Sequence, residues 1–264
     1  MPFIDTHSHI YLPQFDHDRE LMLQRAREVG IEKIFLPNID LASIPLIHKL
    51  CDEHPRMCYP MMGLHPCDVK EGFEVVLVQM RALFSQRKYI AVGEIGIDLY
   101  WDRTTLPMQI DAFRAQILWA MELQLPIVIH ARDSFDEIFS VLDELNDDRL
   151  RGVFHCFTGT NEQARKVIEY GGFMMGIGGV LTYEKSGLDA VVANIPMEYL
   201  ILETDSPYLT PKPFRGKRNE SAYVRFVAGR LAEVSNISME EIGSITSENA
   251  LRMFDLQNEI VQGS

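Results

Sequence analysis

The sequence predicts an α/β fold in which eight strand–helix units close into a (β/α)8 TIM barrel. Two observations carry this reading. Short apolar runs alternate along the chain with longer segments of helical period. The distinctive acids and histidines stand at the C-terminal ends of those runs, where a parallel barrel gathers them on one face. A doubly wound open sheet is the alternative architecture for the same alternation.

The first run, "FIDTH" (3–7), begins almost at the first residue and leads into His7 and His9. "DRELMLQRAREVG" (18–30) follows as a helix, with Leu21, Leu23, Ala26 and Val29 marking its apolar face and Gly30 its C-terminal cap. The next runs are "IEKIFLP" (31–37), "MCYPMMGLH" (57–65) and "YIAVGEIG" (89–96). "QIDAFRAQILWAMELQLP" (109–126) reads as a helix leading into the run "PIVIH" (126–130). "SFDEIFSVLDEL" (134–145) is a helix before "GVFHCF" (152–157), and "GFMMGIG" (172–178) and "EYLILETD" (198–205) complete the set. Near the end, Ser238 and Glu241 form a capping-box signature before Ile242. There is no repeat, no low-complexity tract and no Pro/Gly/Ser-rich linker, so residues 1–264 read as one domain, with 255–264 expected to fray. The glycines of "GGFMMGIGG" (171–179) do not fit a dinucleotide-binding G-x-G-x-x-G, and close strand packing or backbone approach to a ligand explains them better.

Composition bounds the function. An apolar fraction of 47% and a charged fraction of 24% are ordinary for a soluble globular protein. No apolar run approaches the ~18 residues a membrane span requires, and no secretory signal is expected. Cys51, Cys58, Cys67 and Cys156 form no C-x-x-C pair, which points to reduced thiols in a cytoplasmic protein. The net charge of −13 argues against a general nucleic-acid coat. A polyanionic substrate still fits if metal ions and a local basic patch override the distant field.

His7 and His9 follow run one, and His65 ends run three. Glu94 and Asp98 lie at the end of run four, His130 ends run five, His155 lies in run six, and Glu203 and Asp205 end run eight. Residues i and i+2 of an extended segment point the same way, so His7 and His9 can offer both imidazoles to one cation. His17, His48 and His54 fall in loop or helix contexts and read as structural.

With these residues placed, the sequence resembles the TatD family of metal-dependent hydrolases and deoxyribonucleases, within the amidohydrolase-like barrels. The resemblance runs from about residue 3 to residue 254. It rests on "DTHSH" (5–9), "GLHP" (63–66), "GEIGID" (93–98), "IHAR" (129–132), "HCFTG" (155–159), "ETDSPYL" (203–209) and "RGKRNE" (215–220). One departure is visible: the family commonly carries proline after the Asn-Glu pair, and this chain has Ser221. The resemblance implies a barrel of metal-dependent hydrolase type with two divalent ions, of which Mg, Mn and Zn are the candidates. By resemblance, His7, His9 and Asp205 bind one ion, His130 and His155 bind the second, and Glu94 bridges both. Four imidazoles and two carboxylates suffice for two ions with positions left for water and substrate.

The chemistry this allows is hydrolysis by activated water, with Asp205 taking up or orienting the water's proton. Glu94 is the bridging acid. His65 is assigned to a substrate phosphate oxygen or the leaving group, against a plain rim histidine. Glu203 is an alternative proton carrier or a carboxylate that orients a ligand histidine. Lys212, Arg215, Lys217 and Arg218 follow the eighth strand, where barrels often place phosphate sites, and they join Arg132 as candidate substrate contacts. The expected activity is phosphodiester hydrolysis, an exonuclease acting on DNA or another nucleic acid, with neither a membrane nor an obligate protein partner. Two alternatives stand beside it: a metal-dependent ester or amide hydrolase such as a D-aminoacyl-tRNA deacylase, and a non-enzymatic metal-dependent binding protein.

Overall fold

All eight apolar runs contribute a strand in the computed structural model, which describes residues 2–257. The strands are β1 (Phe3–Asp5), β2 (Ile31–Leu36), β3 (Cys58–Pro60), β4 (Val92–Asp98), β5 (Ile127–Arg132), β6 (Gly152–Phe154), β7 (Phe173–Ile177) and β8 (Leu200–Leu202). They pair in parallel as β1-β2-β3 and as β4-β5-β6-β7-β8. The two arcs meet at both seams. Met62 pairs with Val92, and Gly93 N–H donates to Met62 O at 3.0 Å. Ser8 pairs with Ser206, and Asp205 N–H donates to His7 O at 2.9 Å. Strands one and eight are therefore neighbours, and the open-sheet alternative is excluded.

Strand alternation divides the core. Ile4, Phe35, Val128, Val153, Met174 and Ile201 belong to one buried cluster. Their sequence neighbours, among them Phe3, Ile34, Leu36, Ile127 and Leu200, pack in another with the surrounding helices. This is the period-two pattern of a closed sheet with both faces covered. The helices are α1 (Arg19–Glu28), α2 (Ile44–Glu53), α3 (Phe73–Leu83), α4 (Leu106–Leu123), α5 (Phe135–Leu145), α6 (Asn161–Glu169), α7 (Leu188–Val192), α8 (Val224–Ser235) and α9 (Met239–Met253). The Ser238–Glu241 capping box is formed at the start of α9. None of the described helices is long and apolar enough to cross a membrane.

Three local expectations are corrected. Leu21 does not face the core; it is 58% exposed, and Met22 is buried in its place, because the helix phase is set by Met22, Leu23 and Ala26. The third strand ends at Pro60, well short of residue 65. The chain after Phe254 does not fray at once. Leu256 is buried in the cluster with Ile4 and Phe35, Leu256 N–H donates to Leu251 O at 2.9 Å, and Arg151 pairs with Asp255. The remainder of the expected frayed tail, 258–264, lies outside the described residues.

Candidate metal centre

The mouth of the barrel is built from strand ends. His7 and His9 leave β1 two residues apart, and their Nε2 atoms stand 3.3 Å from each other. Glu94 sits inside β4, His130 inside β5, His155 directly after β6, and Asp205 three residues beyond β8. Every one of these predicted ligands arrives in one place. The carboxylate of Glu94 divides them. Its Oε2 lies 3.2 Å from His7 Nε2 and 3.6 Å from His9 Nε2. Its Oε1 lies 2.8 Å from His130 Nδ1 and 2.9 Å from His155 Nε2. Asp205 Oδ1 joins the first set, 3.5 Å from His9 Nε2 and 3.8 Å from His7 Nε2.

The surrounding hydrogen bonds select the tautomers. Tyr11 donates its hydroxyl proton to Pro37 O at 2.8 Å, so the 2.8 Å contact between that hydroxyl and His9 Nδ1 has the imidazole as donor. His9 Nε2 then faces the site as a lone pair. His130 Nε2 lies 2.8 Å from Asp98 Oδ2, a carboxylate that can only accept, so His130 presents Nδ1 to Glu94. His65 is the opposite case. Its Nδ1 accepts the N–H of Cys67 at 3.1 Å, which leaves the proton on Nε2, 3.4 Å from Glu94 Oε1. His65 thus comes into the centre as a proton donor and not as a lone pair.

The electrostatics are those of a cation site. Burial pushes the Glu94 carboxyl up, but His155, His65 and His7 outweigh it and hold the group well below the usual carboxylate range. Burial also opposes ionisation of Asp205, and His9, His155 and His7 overcome it, lowering the group. His7 is lowered by its own burial and by His155, whose ring stacks on it at 3.8 Å. Burial lowers His130 and His155 too, but the acids win. Asp98 and Glu94 raise His130, and Glu94 with Glu203 raises His155 well above its ordinary value. His130 Nδ1 and His155 Nε2 both lie within 2.9 Å of one carboxylate oxygen, close enough to share a proton or a cation with it. The imidazole nitrogens and carboxylate oxygens gathered here are a donor set that can hold metal cations.

Asp5, the acid ahead of the H-x-H pair, serves the scaffold. It is fully buried and accepts from Thr204 N–H at 2.9 Å and from the Thr204 hydroxyl at 2.7 Å, tying β1 to the end of β8. Burial raises its carboxyl to about 7. Ser221 opens a short 3-10 turn, fully buried, with its hydroxyl 3.5 Å from that of Ser8. Glu203 is buried behind His155. Its Oε1 accepts Cys156 N–H at 2.5 Å and lies 3.4 Å from His155 Nδ1. A side chain at Gly176 would collide with this carboxylate, which accounts for one glycine of the β7 run.

The basic loop divides. Arg218 grips Asp18 with both terminal nitrogens, at 2.6 and 2.8 Å, and Lys212 pairs with Glu184 at 2.6 Å. Arg218 is occupied in this structure, its planar fork holding the Asp18 carboxylate and Gln14 O. Lys212 is likewise occupied. Asn219 completes the anchor, donating to Thr204 O at 2.7 Å and Tyr208 O at 2.6 Å. Arg215 and Lys217 are exposed and lie over the rings of Tyr183 and Phe214. Arg132 is exposed beside His130. His48 and His54 are structural, bonded to Tyr89 and Glu20, and His17 is on the surface.

Sequence reasoning missed Tyr11, and it placed Asp98 at the end of run four without giving it a role. Tyr11 continues the i, i+2 phase of His7 and His9, and Asp98 shares the phase of Glu94 on β4; strand alternation was the available signal for both.

Comparison with known proteins places the chain among relatives of one family. The profile of the family described as TatD related DNase matches residues 4–255. The chain is 39% identical over 251 residues to the uncharacterized metal-dependent hydrolase YabD of Bacillus subtilis (strain 168), covering 95% of this chain and 98% of that protein. It is 32% identical over 249 residues to the 3'-5' ssDNA/RNA exonuclease TatD of Rahnella sp. (strain Y9602), covering 92% and 94%. Among solved structures, YJJV, a TatD homologue from Escherichia coli K12, superimposes with a TM-score of 0.90 at 32% identity over 96% of this chain and 98% of that one. A phosphotriesterase homology protein from Escherichia coli shares the fold at a TM-score of 0.72 and 14% identity, over 96% and 98%.

Proposed function

The chain belongs to the TatD related DNase family of metal-dependent hydrolases, and from that premise we propose that it is an exonuclease acting on single-stranded nucleic acid with two divalent cations. The observation that carries the two-cation reading is the division of Glu94, whose two oxygens face separate sets of histidines. His7, His9 and Asp205 would hold one ion and His130 and His155 the other, with Glu94 offering an oxygen to each set. Cations held there supply Lewis acidity toward phosphoryl oxygens and make water acidic enough to attack near neutral pH.

The chain's own residues do the rest. Asp205 accepts the proton of the attacking water, since its carboxylate has a second oxygen free of the His9 contact. His65 donates from Nε2 to a phosphate oxygen or to the departing oxygen, the proton being fixed there by Cys67 N–H. Tyr11 and Asp98 keep His9 and His130 in the ligating tautomers. Arg215 and Lys217 hold backbone phosphates and Arg132 adds a substrate contact beside His130, whereas Arg218 and Asn219 hold the loop that carries the first two.

The test is parallel assay of the metal-loaded protein on a single-stranded DNA oligonucleotide, an RNA oligonucleotide and a D-aminoacyl-tRNA. Stepwise release of mononucleotides supports the proposal. Release of the amino acid with the polynucleotide chains intact assigns the centre to ester hydrolysis instead, and no turnover on any of them leaves a metal-dependent binding protein.

A further inference from the structure

Two large aromatic side chains stand in solvent beside the centre. Tyr100 is 55% and Trp101 71% exposed. Their rings meet edge to face, with centroids 5.0 Å apart at 90°. Arg132 caps the pair, its guanidinium 3.8 Å from the Tyr100 ring and 5.7 Å from the Trp101 ring. Among the described residues no carboxylate pairs with Arg132, whereas nine other arginines have one.

The turn is fastened to the centre. Asp98 Oδ1 accepts the N–H groups of Tyr100 at 3.0 Å and Trp101 at 3.2 Å, while Oδ2 of the same carboxylate contacts His130. Asp98 and Arg132 are register partners on β4 and β5, and Leu99 N–H donates to Arg132 O at 2.9 Å. One residue therefore separates a candidate ligand from the aromatic pair.

We infer that Tyr100, Trp101 and Arg132 form a stacking platform for an unpaired nucleobase next to the phosphate under attack. Flat aromatic and guanidinium surfaces suit every base, so the platform selects single strands without reading sequence. Duplex ends must unstack to use it, which restricts the enzyme to single-stranded termini. This rests on the nuclease reading and specifies the substrate's form.

The experiment compares the metal-loaded wild type with Tyr100→Ala/Trp101→Ala on two single-stranded DNA oligonucleotides. One has natural bases, and the other has abasic residues at its three terminal positions at both ends. On the natural strand the variant's KM rises roughly 10- to 100-fold with little change in kcat. On the abasic strand wild type and variant are equally poor. Equal losses on both strands, or no loss, overturn the platform while leaving the nuclease reading intact. If the wild type cleaves neither strand, the nuclease reading fails and the platform is judged by binding. Trp119→Phe leaves Trp101 as the sole indole of the two in the chain. Quenching of its emission by the natural strand and not the abasic one upholds the platform, and absence of quenching overturns it.

Discussion

Asp98 Oδ2 lies 2.8 Å from His130 Nε2, so a carboxylate behind the centre fixes which nitrogen of that histidine faces Glu94. The bond costs little to keep charged: burial opposes ionisation, but the His130 contact and the Tyr100 and Trp101 amides bring Asp98 down to about 2. Asp98→Ala removes the acceptor. His130 is then free to turn or to place its proton on Nδ1, and metal affinity falls by roughly 10- to 100-fold. Titration of metal into the stripped variant measures it, with activity returning at saturating metal. Affinity equal to that of the wild type would remove Asp98 from the support of the centre.

Glu94 contacts both histidine sets, so its charge should matter more than any single imidazole. Glu94→Gln keeps the volume and removes the negative charge between them. At least one ion is lost and activity falls nearly to background, while far-ultraviolet circular dichroism stays native. Metal analysis of the purified variant, run beside that spectrum, is the check; full metal content with full activity would make Glu94 a structural residue.

The division of the basic loop gives opposite expectations for neighbouring residues. Arg215→Gln and Lys217→Gln each reduce the slope of log K against log salt by roughly 0.7, the contribution of one phosphate contact on a single strand. Arg218→Gln leaves that slope nearly unchanged in affinity measured at several salt concentrations and lowers thermal stability instead, since it breaks the grip on Asp18. A slope loss confined to Arg218 would reverse these assignments.

Asp18 supplies a pH test of the same anchor. The hydrogen bond from Arg218 is the main cause that draws its carboxyl down to about 2, with Arg25 adding to it. A depressed folded-state value means stabilisation that is fully present above the unfolded value near 3.8 and lost as pH falls through about 2. The group is largely solvated, so the gain is at most about 1 kcal/mol. Denaturation of wild type and Asp18→Asn should show a small gap at neutral pH that narrows between about pH 4 and pH 2. A gap that persists unchanged at the acid end would trace the loss to packing.

The barrel, and the gathering of the strand-end acids and histidines at one rim, were legible in the sequence because both follow from one regularity, while the choice of six among them as ligands came from the family resemblance. Apolar runs of strand length locate the strands, and the polar residue that ends each run must lie at the same rim. What was not legible depends on contacts between distant segments. Arg218 looks like any loop cation until Asp18, two hundred residues earlier, closes on it. Leu21 and Met22 are interchangeable on composition, and only the phase of α1 against β2 chooses between them. The tail reads as polar and weakly periodic, yet Leu256 is buried among residues brought together from several strands. Asp98 shows no role until His130 and the aromatic turn are placed beside it.

Asp205 is the residue on which the chemical step depends in this reading. It stands just beyond β8, and its N–H donates to His7 O, so it faces the H-x-H pair across the seam that closes the barrel. Its φ of 56° turns the chain sharply there and directs the carboxylate back into the mouth, a conformation aspartate adopts more readily than most residues. One oxygen is engaged with His9, leaving the other for the proton of attacking water. Asp205→Asn preserves the shape and one acceptor oxygen but cannot take up that proton. Oligonucleotide binding should persist while single-turnover cleavage at saturating metal slows by roughly 100-fold or more. A variant that cleaves at nearly the wild-type rate would move the proton to Glu203, which is buried behind His155 with Oε2 unpartnered. Glu203→Gln, assayed the same way, would then show the larger loss.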